Sequence, residues 1–397
     1  MAGSAAMSMA LSVRAREVAP FLAMEVMERG MAMAREGSPV IQLGVGEPDF
    51  DAPPEAIAAA TQSLACGETH YTDSRGLREL REAIAADCLR RRGVRVDPDQ
   101  VLVTNGTSPA ILLTLSVLVN PGDEVIMATP HYPCYPNMVA VCGGRSVLVP
   151  TRPEDGFLLD VDRVRAAITK RTKAILVASP ANPTGTVQPR EVVEALAALG
   201  VPLLSDEIYD GLVFEGSEVT SPLGMLDDCF VLDGFSKRYA MTGFRLGYVI
   251  APKSAMRALQ SLQQNLFISV AHFVQRAGVA ALEHGQPHVD HMREVYDQRR
   301  RRLVEGVRAL GFGVPRAPTG AFYVLADARH LGAGRRPDPS TDSASLSLAF
   351  DLLDRAHVAL GPGRDFGEAA EGFLRFSYAT SLDAIDEALG RLERALA

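Results

Sequence analysis

Lys237 is one of only four lysines in a chain of 397 residues, in which arginine supplies nearly all the other positive charge. It follows an apolar stretch at 230–232 and lies among small residues, with Ser236 before it and Arg245 eight positions later. A lysine in such a loop is placed to lose its hydration, and a desolvated amine reacts readily with a carbonyl group. The hydroxyl and the guanidinium nearby would suit a phosphate. The pattern predicts a reactive amine beside an anion site; the alternative is an ordinary loop lysine near a helix start.

A second stretch that could bind an anion is Asn105-Gly-Thr-Ser-Pro109, which follows a predicted strand at 100–103. Ser108 is the expected N-cap of an apolar helix over 110–119, and Pro109 its expected first residue. Gly106, Thr107 and Ser108 would then present N–H groups and hydroxyls at the positive end of that helix, where phosphate binds well. Most helix starts of this kind bind nothing, so a capping role alone stays open.

Gly44 and Gly46 end a short strand predicted within 40–50. Glycine has no side chain, so backbone N–H groups beside it can approach a ligand closely. A plain turn would use the same residues, and the pattern alone leaves both interpretations open.

Composition favours a soluble globular enzyme, with 47% hydrophobic and 22% charged residues. The net charge of −8 argues against nucleic acid or an anionic membrane as the main partner. The five cysteines are scattered without a C-x-x-C pair, which predicts neither a disulfide framework nor a zinc site. No apolar run reaches membrane-spanning length, and residues 1–9 resemble a frayed terminus more than a secretion signal. We therefore expect a cytoplasmic protein.

The elements that must position these residues alternate between strand and helix from about residue 100. Short apolar runs predict strands, and two of the intervening stretches, 161–169 and 190–199, predict helices. This rhythm is typical of a mostly parallel sheet covered by helices, in which ligands bind beyond the carboxyl ends of the strands. The further predicted strands are 124–128, 146–149, 174–178, 201–204, 230–232 and 246–250.

Several helical stretches carry residues of unusual type. Residues 11–36 predict one amphipathic helix whose methionines, among them Met24 and Met27, suit either a soft binding surface or, as we favour, core or partner-facing packing. Residues 90–92 and 299–302, all arginines, are interpreted as a solvated helix end and a charged helix face.

Three histidines, at 284, 288 and 291, have spacings that a metal ion could use. Gly285 and Pro287 interrupt any helix between them, and no cysteine or carboxylate cluster completes a ligand set, so no metal site is predicted. A Gly/Pro/Ser-rich stretch at 331–345 predicts a surface loop.

Four separate motifs then occur in a specific order. They are Ser179-Pro-Ala-Asn-Pro-Thr-Gly185, Ser205-Asp-Glu-Ile-Tyr209, Ser236-Lys237 with Met241-Thr-Gly-Phe-Arg245, and Phe373-Leu-Arg-Phe-Ser-Tyr378. With them the chain resembles the class I/II aminotransferases of the fold-type I pyridoxal phosphate (PLP) enzymes, from about residue 15 to its end. The resemblance implies an α/β fold with a large PLP-binding domain, 46–290, and a smaller α+β domain formed by 1–45 and 291–397.

The resemblance also implies how PLP would be held. Lys237 matches the lysine that forms a Schiff base with PLP and then moves the substrate's α-proton, and Asp206 matches the carboxylate that pairs with the pyridine nitrogen. Tyr209 and Asn182 match residues that contact the ring 3′-oxygen, and Tyr132 the aromatic that stacks on the ring. The residues that match the phosphate site are Gly106, Thr107, Ser108, Ser236 and Arg245.

Substrate and partner residues follow in the same way. Arg375 matches the arginine that grips the substrate α-carboxylate, which Asn182 and a backbone N–H of Gly44 would also contact. Tyr71 matches a residue that reaches the cofactor of the neighbouring subunit, which implies a homodimer with shared active sites. Phe244 stands where the family commonly has Trp. Arg364 stands where small residues are frequent, and it would either reach the mouth of the site or cap its own loop.

The implied reaction is a ping-pong transfer of an amino group from an L-amino acid to a 2-oxo acid. A PLP-dependent lyase, cyclase or oxidase of secondary metabolism would use the same lysine and aspartate, because the cofactor carries the chemistry. A non-catalytic PLP-fold regulator is disfavoured by the complete set of catalytic residues. No second arginine can be assigned to a substrate side-chain carboxylate, which puts dicarboxylate preference in doubt.

Overall fold

The computed structural model of the chain describes residues 9–331 and 342–397, so most of the loop predicted at 331–345, and residues 1–8, lie outside the described part. The α-helices of the described part are α1 Val13–Glu17, α2 Leu22–Arg35, α3 Pro54–Ala65, α4 Arg78–Arg92, α5 Thr107–Leu118, α6 Cys134–Val141, α7 Val161–Ala167, α8 Arg190–Ala197, α9 Lys253–Leu266, α10 His272–His284, α11 Gln286–Ala309, α12 Ala344–Ala356 and α13 Leu382–Leu396. The strands are β1 Ile41–Gln42, β2 Val101–Thr104, β3 Glu124–Thr129, β4 Arg145–Pro150, β5 Thr172–Ala178, β6 Leu203–Asp206, β7 Cys229–Gly234, β8 Gly247–Ile250, β9 Tyr323–Asp327, β10 Val358–Ala359, β11 Gly361–Pro362 and β12 Phe373–Ser377.

A seven-stranded sheet in the order β2-β8-β7-β6-β5-β3-β4 forms the centre of the fold. All neighbours are parallel except β8, which runs antiparallel to β2 and β7. Strands β6, β7 and β8 are buried along their whole length, as expected when helices cover both faces of a mostly parallel sheet. This confirms the predicted α/β class and mostly parallel sheet.

Parallel register brings the chemically interesting residues to one edge. Asp206 is the last residue of β6, and Lys237 follows the end of β7 by three positions. Because β6 and β7 pair in parallel, with Asp206 beside Leu232, both residues lie beyond carboxyl ends at the same side of the sheet.

A smaller α+β layer forms around the antiparallel sheet β11-β12-β9. Its hydrophobic core takes side chains from α11, α12 and α13, and strand β1 joins it by pairing in parallel with β10. Helix α2 packs on the same core through Val26. The N-terminal segment and the C-terminal third are therefore packed together.

The helices differ from the predictions at two places. The single helix expected over 11–36 is two helices, because Pro20 lies between α1 and α2 and cannot donate a backbone hydrogen bond. Helix α6, which follows Tyr132, was not predicted.

The arginine runs are also less solvated than predicted. Arg92 is only 4% exposed and contacts Asp233 at 3.0 Å and Glu207 at 2.5 Å. Arg300 is buried and pairs with Glu215 at 2.6 Å. Arg92 belongs to a cluster of buried charged residues that we call the ion-pair network. Its members are Asp87, Arg91, Arg92, Glu207, Asp210, Asp233 and Arg238.

Within the described ranges, none of the helices combines the length and the apolar character that crossing a lipid bilayer requires.

Candidate active site

A cavity of about 400 Å³ opens at the carboxyl edge of the sheet, between the central sheet and the smaller layer. It gathers most of the residues predicted from the sequence. Those that line it are Gly44, Thr107, Ser108, Tyr132, Asn182, Asp206, Tyr209, Ser236, Lys237, Arg245 and Arg375. Gly106 adjoins the lining through Arg245, whereas Tyr71 lies outside it.

Lys237 is held in the cavity without an acidic partner among the described residues. Its Nζ donates a hydrogen bond to the carbonyl oxygen of Gly46 at 2.7 Å. Burial lowers the pKa of Lys237 to about 8, and the nearby guanidiniums of Arg245 and Arg375 act in the same direction, against the attraction of Glu47. A larger share of this amine is therefore unprotonated near neutral pH than in an exposed lysine, as a nucleophile requires.

Asp206 is a buried carboxylate whose environment opposes its charge. Burial raises its pKa to about 6, although two hydrogen bonds to its oxygens act in the other direction. Tyr135 donates one at 2.6 Å to Oδ2, and the backbone N–H of Ile208 donates the other at 3.1 Å to Oδ1. These bonds orient the carboxylate toward the cavity. A cationic N–H on a ligand would donate a further hydrogen bond to this carboxylate and supply the counter-charge that it lacks.

Tyr135 was missed in the sequence, although it follows Tyr132 by three positions. Tyr132 lies two residues before α6 and Tyr135 is the second residue of that helix, and their rings meet with centroids 5.3 Å apart and an interplanar angle of 80°. The sequence signal would have been an aromatic three residues after the predicted stacking residue, but it depends on recognising α6.

The predicted anion site is formed at the start of α5, although its cap differs from the prediction. Helix α5 begins at Thr107, and Gly106 is its N-cap with φ +97°, so Ser108 is the second helical residue and not the cap. A side chain at this φ would be strained, and its Cβ would lie 2.6 Å from Nη2 of Arg245, so the guanidinium would have to move. The free N–H groups of α5, Ser236 and Arg245 can together hold a dianion.

Arg375 forms the opposite wall and is buried. Its Nη1 donates to Oδ1 of Asn182 at 2.9 Å and its Nη2 to the carbonyl oxygen of Gly44 at 2.6 Å. The guanidinium lies over the rings of Tyr323 and Phe366, with its carbon 4.5 and 4.8 Å from their centroids. Nε has no hydrogen-bond partner among the described residues. Fixed in this way, the guanidinium can bind a carboxylate.

Two tyrosine hydroxyls meet beside these groups. Tyr209 and Tyr323 hydrogen-bond to each other at 2.8 Å, and burial raises the pKa of both. Tyr323 was not predicted as a site residue, because it lies in β9, whose apolar sequence is typical of a buried core strand. Both hydroxyls stay protonated. One of them donates to the other, so the tyrosine that accepts this bond keeps its own O–H to donate to an oxygen of a ligand.

Of the other residues singled out in the sequence, some line the cavity and others lie away from it. Met24 and Met27 line the cavity, whereas Met33 on the same helix packs against the core of the smaller layer. Partner-facing packing of the methionines stays a prediction. Arg364 does not line the cavity and pairs with Glu368 at 2.8 Å, as expected of a residue that caps its own loop. His288 and His291 each contact the edge or face of the Phe50 ring. The side chain of Tyr71 is on the surface and 81% exposed.

Comparison with known proteins gives consistent matches over the whole fold. The family model described as aminotransferase class I and II matches residues 38–392. An aspartate/prephenate aminotransferase of Thermus thermophilus is 41% identical over 97% of this chain and 98% of its own. An arginine–pyruvate transaminase of Pseudomonas aeruginosa is 37% identical over 93% of each. The solved structure of aspartate aminotransferase from Thermus thermophilus with maleate has a TM-score of 0.91 at 40% identity, covering 98% of this chain and 100% of that one.

Proposed function

Because the chain belongs to the class I and II aminotransferase family, we propose that the cavity is its pyridoxal phosphate site and that Lys237 is the amine which binds the cofactor. The protein is a PLP-dependent aminotransferase, and it transfers an amino group from an amino acid to a 2-oxo acid. The observation that carries the assignment of residues is the unpaired Lys237 in one cavity with the buried Asp206 and the anion site of α5.

The residues of the cavity fit this cofactor at three points. The N-terminus of α5, Ser236 and Arg245 would hold the phosphate. Asp206 would pair with the ring nitrogen, and Tyr132 would stack on the ring. The space left by the missing side chain of Gly106 supports this fit, because a Cβ there would displace Arg245.

When bound, pyridoxal phosphate supplies an aldehyde that bonds to amines and a conjugated ring that withdraws electrons from the substrate's α-carbon. The protein's part is to hold and move protons. Tyr135 and Ile208 orient the Asp206 carboxylate so that it can keep a proton on the ring nitrogen. Lys237, once its Nζ is released, is the base that takes the proton from the substrate's α-carbon.

Arg375 would bind the substrate's α-carboxylate, with Asn182 and the backbone at Gly44 beside it. The rings of Tyr323 and Phe366 contact its guanidinium and, with the two hydrogen bonds that it donates, hold it in place. An α-carboxylate bound there would present the amino group toward Lys237. Binding energy at this end would thereby orient the reacting end.

We also propose a homodimer in which Tyr71 reaches the partner's phosphate site. Its side chain is fully on the surface, and its neighbour Thr72 ties the loop to a second exposed segment through Ser269 at 3.3 Å. Leu266 and Ile268 in that segment are exposed apolar side chains. An aromatic and two aliphatic side chains on adjoining loops suit a subunit contact.

We also propose the domain bounds and the location of the protein in the cell. The large domain would span 46–290 and the small domain 1–45 with 291–397, so α11 would belong to both. The location would be cytoplasmic, in keeping with five cysteines that are all free.

The direct test is a spectroscopic half-reaction. Holoenzyme mixed with one amino acid should lose the absorption of its aldehyde-form cofactor and gain that of the amine form, and a 2-oxo acid should reverse the change. Release of ammonia from a single amino acid without a 2-oxo acid would contradict transamination and favour a lyase.

Shared sites can be tested with hybrid dimers. A Tyr71→Ala subunit and a Lys237→Ala subunit, each weak alone, should regain part of the wild-type activity when mixed, because one site then holds Lys237 and the other subunit's Tyr71. Absence of any recovery in verified hybrids would contradict the proposal.

A further inference from the structure

The cavity has one wall that the assigned roles do not use. Phe21, Met24 and Met27, from the start and first turns of α2, line it together with Val45 and Ile111. All five side chains are apolar. Met24 is 42% exposed, so the wall is open to solvent at the mouth of the cavity, where a ligand could cover it.

The charged residues of the lining are already accounted for. Its described cations are Lys237, Arg245 and Arg375, which the proposed function assigns to the cofactor amine site, the phosphate and the α-carboxylate. Its anions are Glu47 and Asp206. No cation among these lining residues is left for a second carboxylate on the substrate.

The wall is also fixed in place. The backbone N–H groups of Leu22 and Ala23, at the start of α2, donate to the two carboxylate oxygens of Asp365 at 2.9 and 3.0 Å. The N-cap residue, Phe21, contributes no side-chain cap, so Asp365 satisfies donors that would otherwise be unpaired. Phe21 contacts the ring of Tyr132 edge-on, with centroids 6.3 Å apart. The wall is thus joined to the residue that would stack on the cofactor.

We propose that this wall is the site for the substrate's side chain and that it selects amino acids with an uncharged, apolar side chain over dicarboxylic ones. The proposal rests on the proposed function, since it takes Arg375 as the α-carboxylate site. Methionine is flexible and polarizable, so two methionines can adapt to both aliphatic and aromatic groups. Each added methylene in such a pocket is worth about 10-fold or more in selectivity.

The test is a pair of measurements on the holoenzyme. In the half-reaction, phenylalanine, leucine and methionine should each exceed aspartate and glutamate in kcat/KM by at least about 10-fold. By calorimetry, the unreactive acid 3-phenylpropanoate should bind more tightly than maleate.

Met24→Lys and Met31→Lys provide a matched pair on one helix. The two methionines are 42% and 44% exposed, but only Met24 belongs to the cavity lining. Met24→Lys should lower kcat/KM for phenylalanine about 10-fold and tighten maleate binding about 10-fold, because it places a cation on the wall. Met31→Lys should change neither by more than about 2-fold.

The outcomes separate the two proposals. Equal effects of the two lysines, or a wild-type preference for aspartate with a normal spectroscopic half-reaction, would overturn the side-chain site and leave the aminotransferase assignment standing. If no amino acid altered the cofactor spectrum, the proposed function would fail and this inference with it.

Discussion

Two clusters of buried charged residues share strands β6 and β7, and they differ in whether each charge has a counter-charge. In the ion-pair network, Arg92 contacts Asp233 at 3.0 Å, and Arg238 contacts Asp87 at 3.2 Å. Burial opposes ionisation of Asp87, yet the guanidiniums of Arg91 and Arg238 hold its pKa below its usual range. In the cavity, burial prevails instead, lowering the pKa of Lys237 to about 8.

Neighbours in sequence are divided between the two clusters. Asp206 lies in the cavity and Glu207 in the ion-pair network; Lys237 lies in the cavity and Arg238 in the network. Burial raises the pKa of Glu207, and the nearby carboxylates of Asp210 and Asp233 raise it further, against the attraction of Arg92. In each pair, one residue has counter-charges in the ion-pair network, while the other has no counter-charge and is left to bind a ligand, as expected where function costs stability.

The largest expected effect is on chemistry, from Lys237→Ala. The half-reaction rate should fall by about 10⁴-fold or more, since both the binding amine and the base are lost. The melting temperature of the cofactor-free protein should not fall, because an unpaired buried amine is removed. A stopped-flow measurement with a thermal scan checks both, and a large loss of stability would place Lys237 with the structural charges.

The next effect is on stability, from Arg92→Met. Removing one partner of a buried ion pair leaves carboxylates uncompensated, and the free energy of unfolding should fall by about 3–5 kcal/mol. Arg78→Met is the control on the same helix, where the side chains of Arg78 and its partner Glu82 are 63% and 51% exposed, and it should cost only a small fraction of that free energy. Urea titrations measure both; similar losses would mean that burial in the network adds nothing.

Asp206→Asn and Glu207→Gln should separate the clusters at adjacent positions. Asp206→Asn should lower kcat about 10²–10³-fold, because a neutral amide cannot keep a proton on the ring nitrogen. Glu207→Gln should mainly lower stability and leave kcat near wild type at temperatures where the protein is folded. If the amide at position 206 keeps full activity, the role assigned to this carboxylate is wrong.

The smallest effect concerns pH. Glu47 raises the pKa of Lys237, so Glu47→Gln should move it below about 8. Only the unprotonated amine attacks an aldehyde, and therefore reaction of the cofactor-free protein with pyridoxal should rise with pH through this pKa. In the variant, the rate at pH 7 should be about 2- to 5-fold higher than in wild type. An unchanged rate profile would remove Glu47 from the control of this amine.

The sequence was most informative where short motifs place several groups at strand ends. Lys237, Asp206 and Arg375 were predicted from such motifs. The parallel strands β6 and β7 bring the first two to one cavity, and Arg375 lines it from β12 of the antiparallel sheet. Arg91 and Arg92 were misjudged as solvated, because two of their partners, Asp210 and Asp233, are more than 100 positions away. Three-dimensional pairing of this kind leaves no local pattern.

The apolar wall and its anchor were missed for a similar reason. We favoured packing for the methionines of α2. The cavity that Met24 and Met27 line is formed by residues far along the chain, and the sequence around the methionines does not show it. Asp365 lies 343 positions from Leu22, whose N–H it accepts. Tyr135 required a helix, α6, that the sequence did not signal strongly. The motifs and their family resemblance thus predicted more of the cavity lining proposed for the cofactor than of the lining proposed for the substrate's side chain.

The most direct measurement maps where the cofactor binds. Wild-type protein is incubated with pyridoxal phosphate, reduced with borohydride and digested, and the pyridoxyl group is located by mass spectrometry. With only four lysines in the chain, assignment is unambiguous. We predict one label per chain, on Lys237. A protein that takes up no cofactor, or a label on Lys170, Lys173 or Lys253 in its place, would contradict the account.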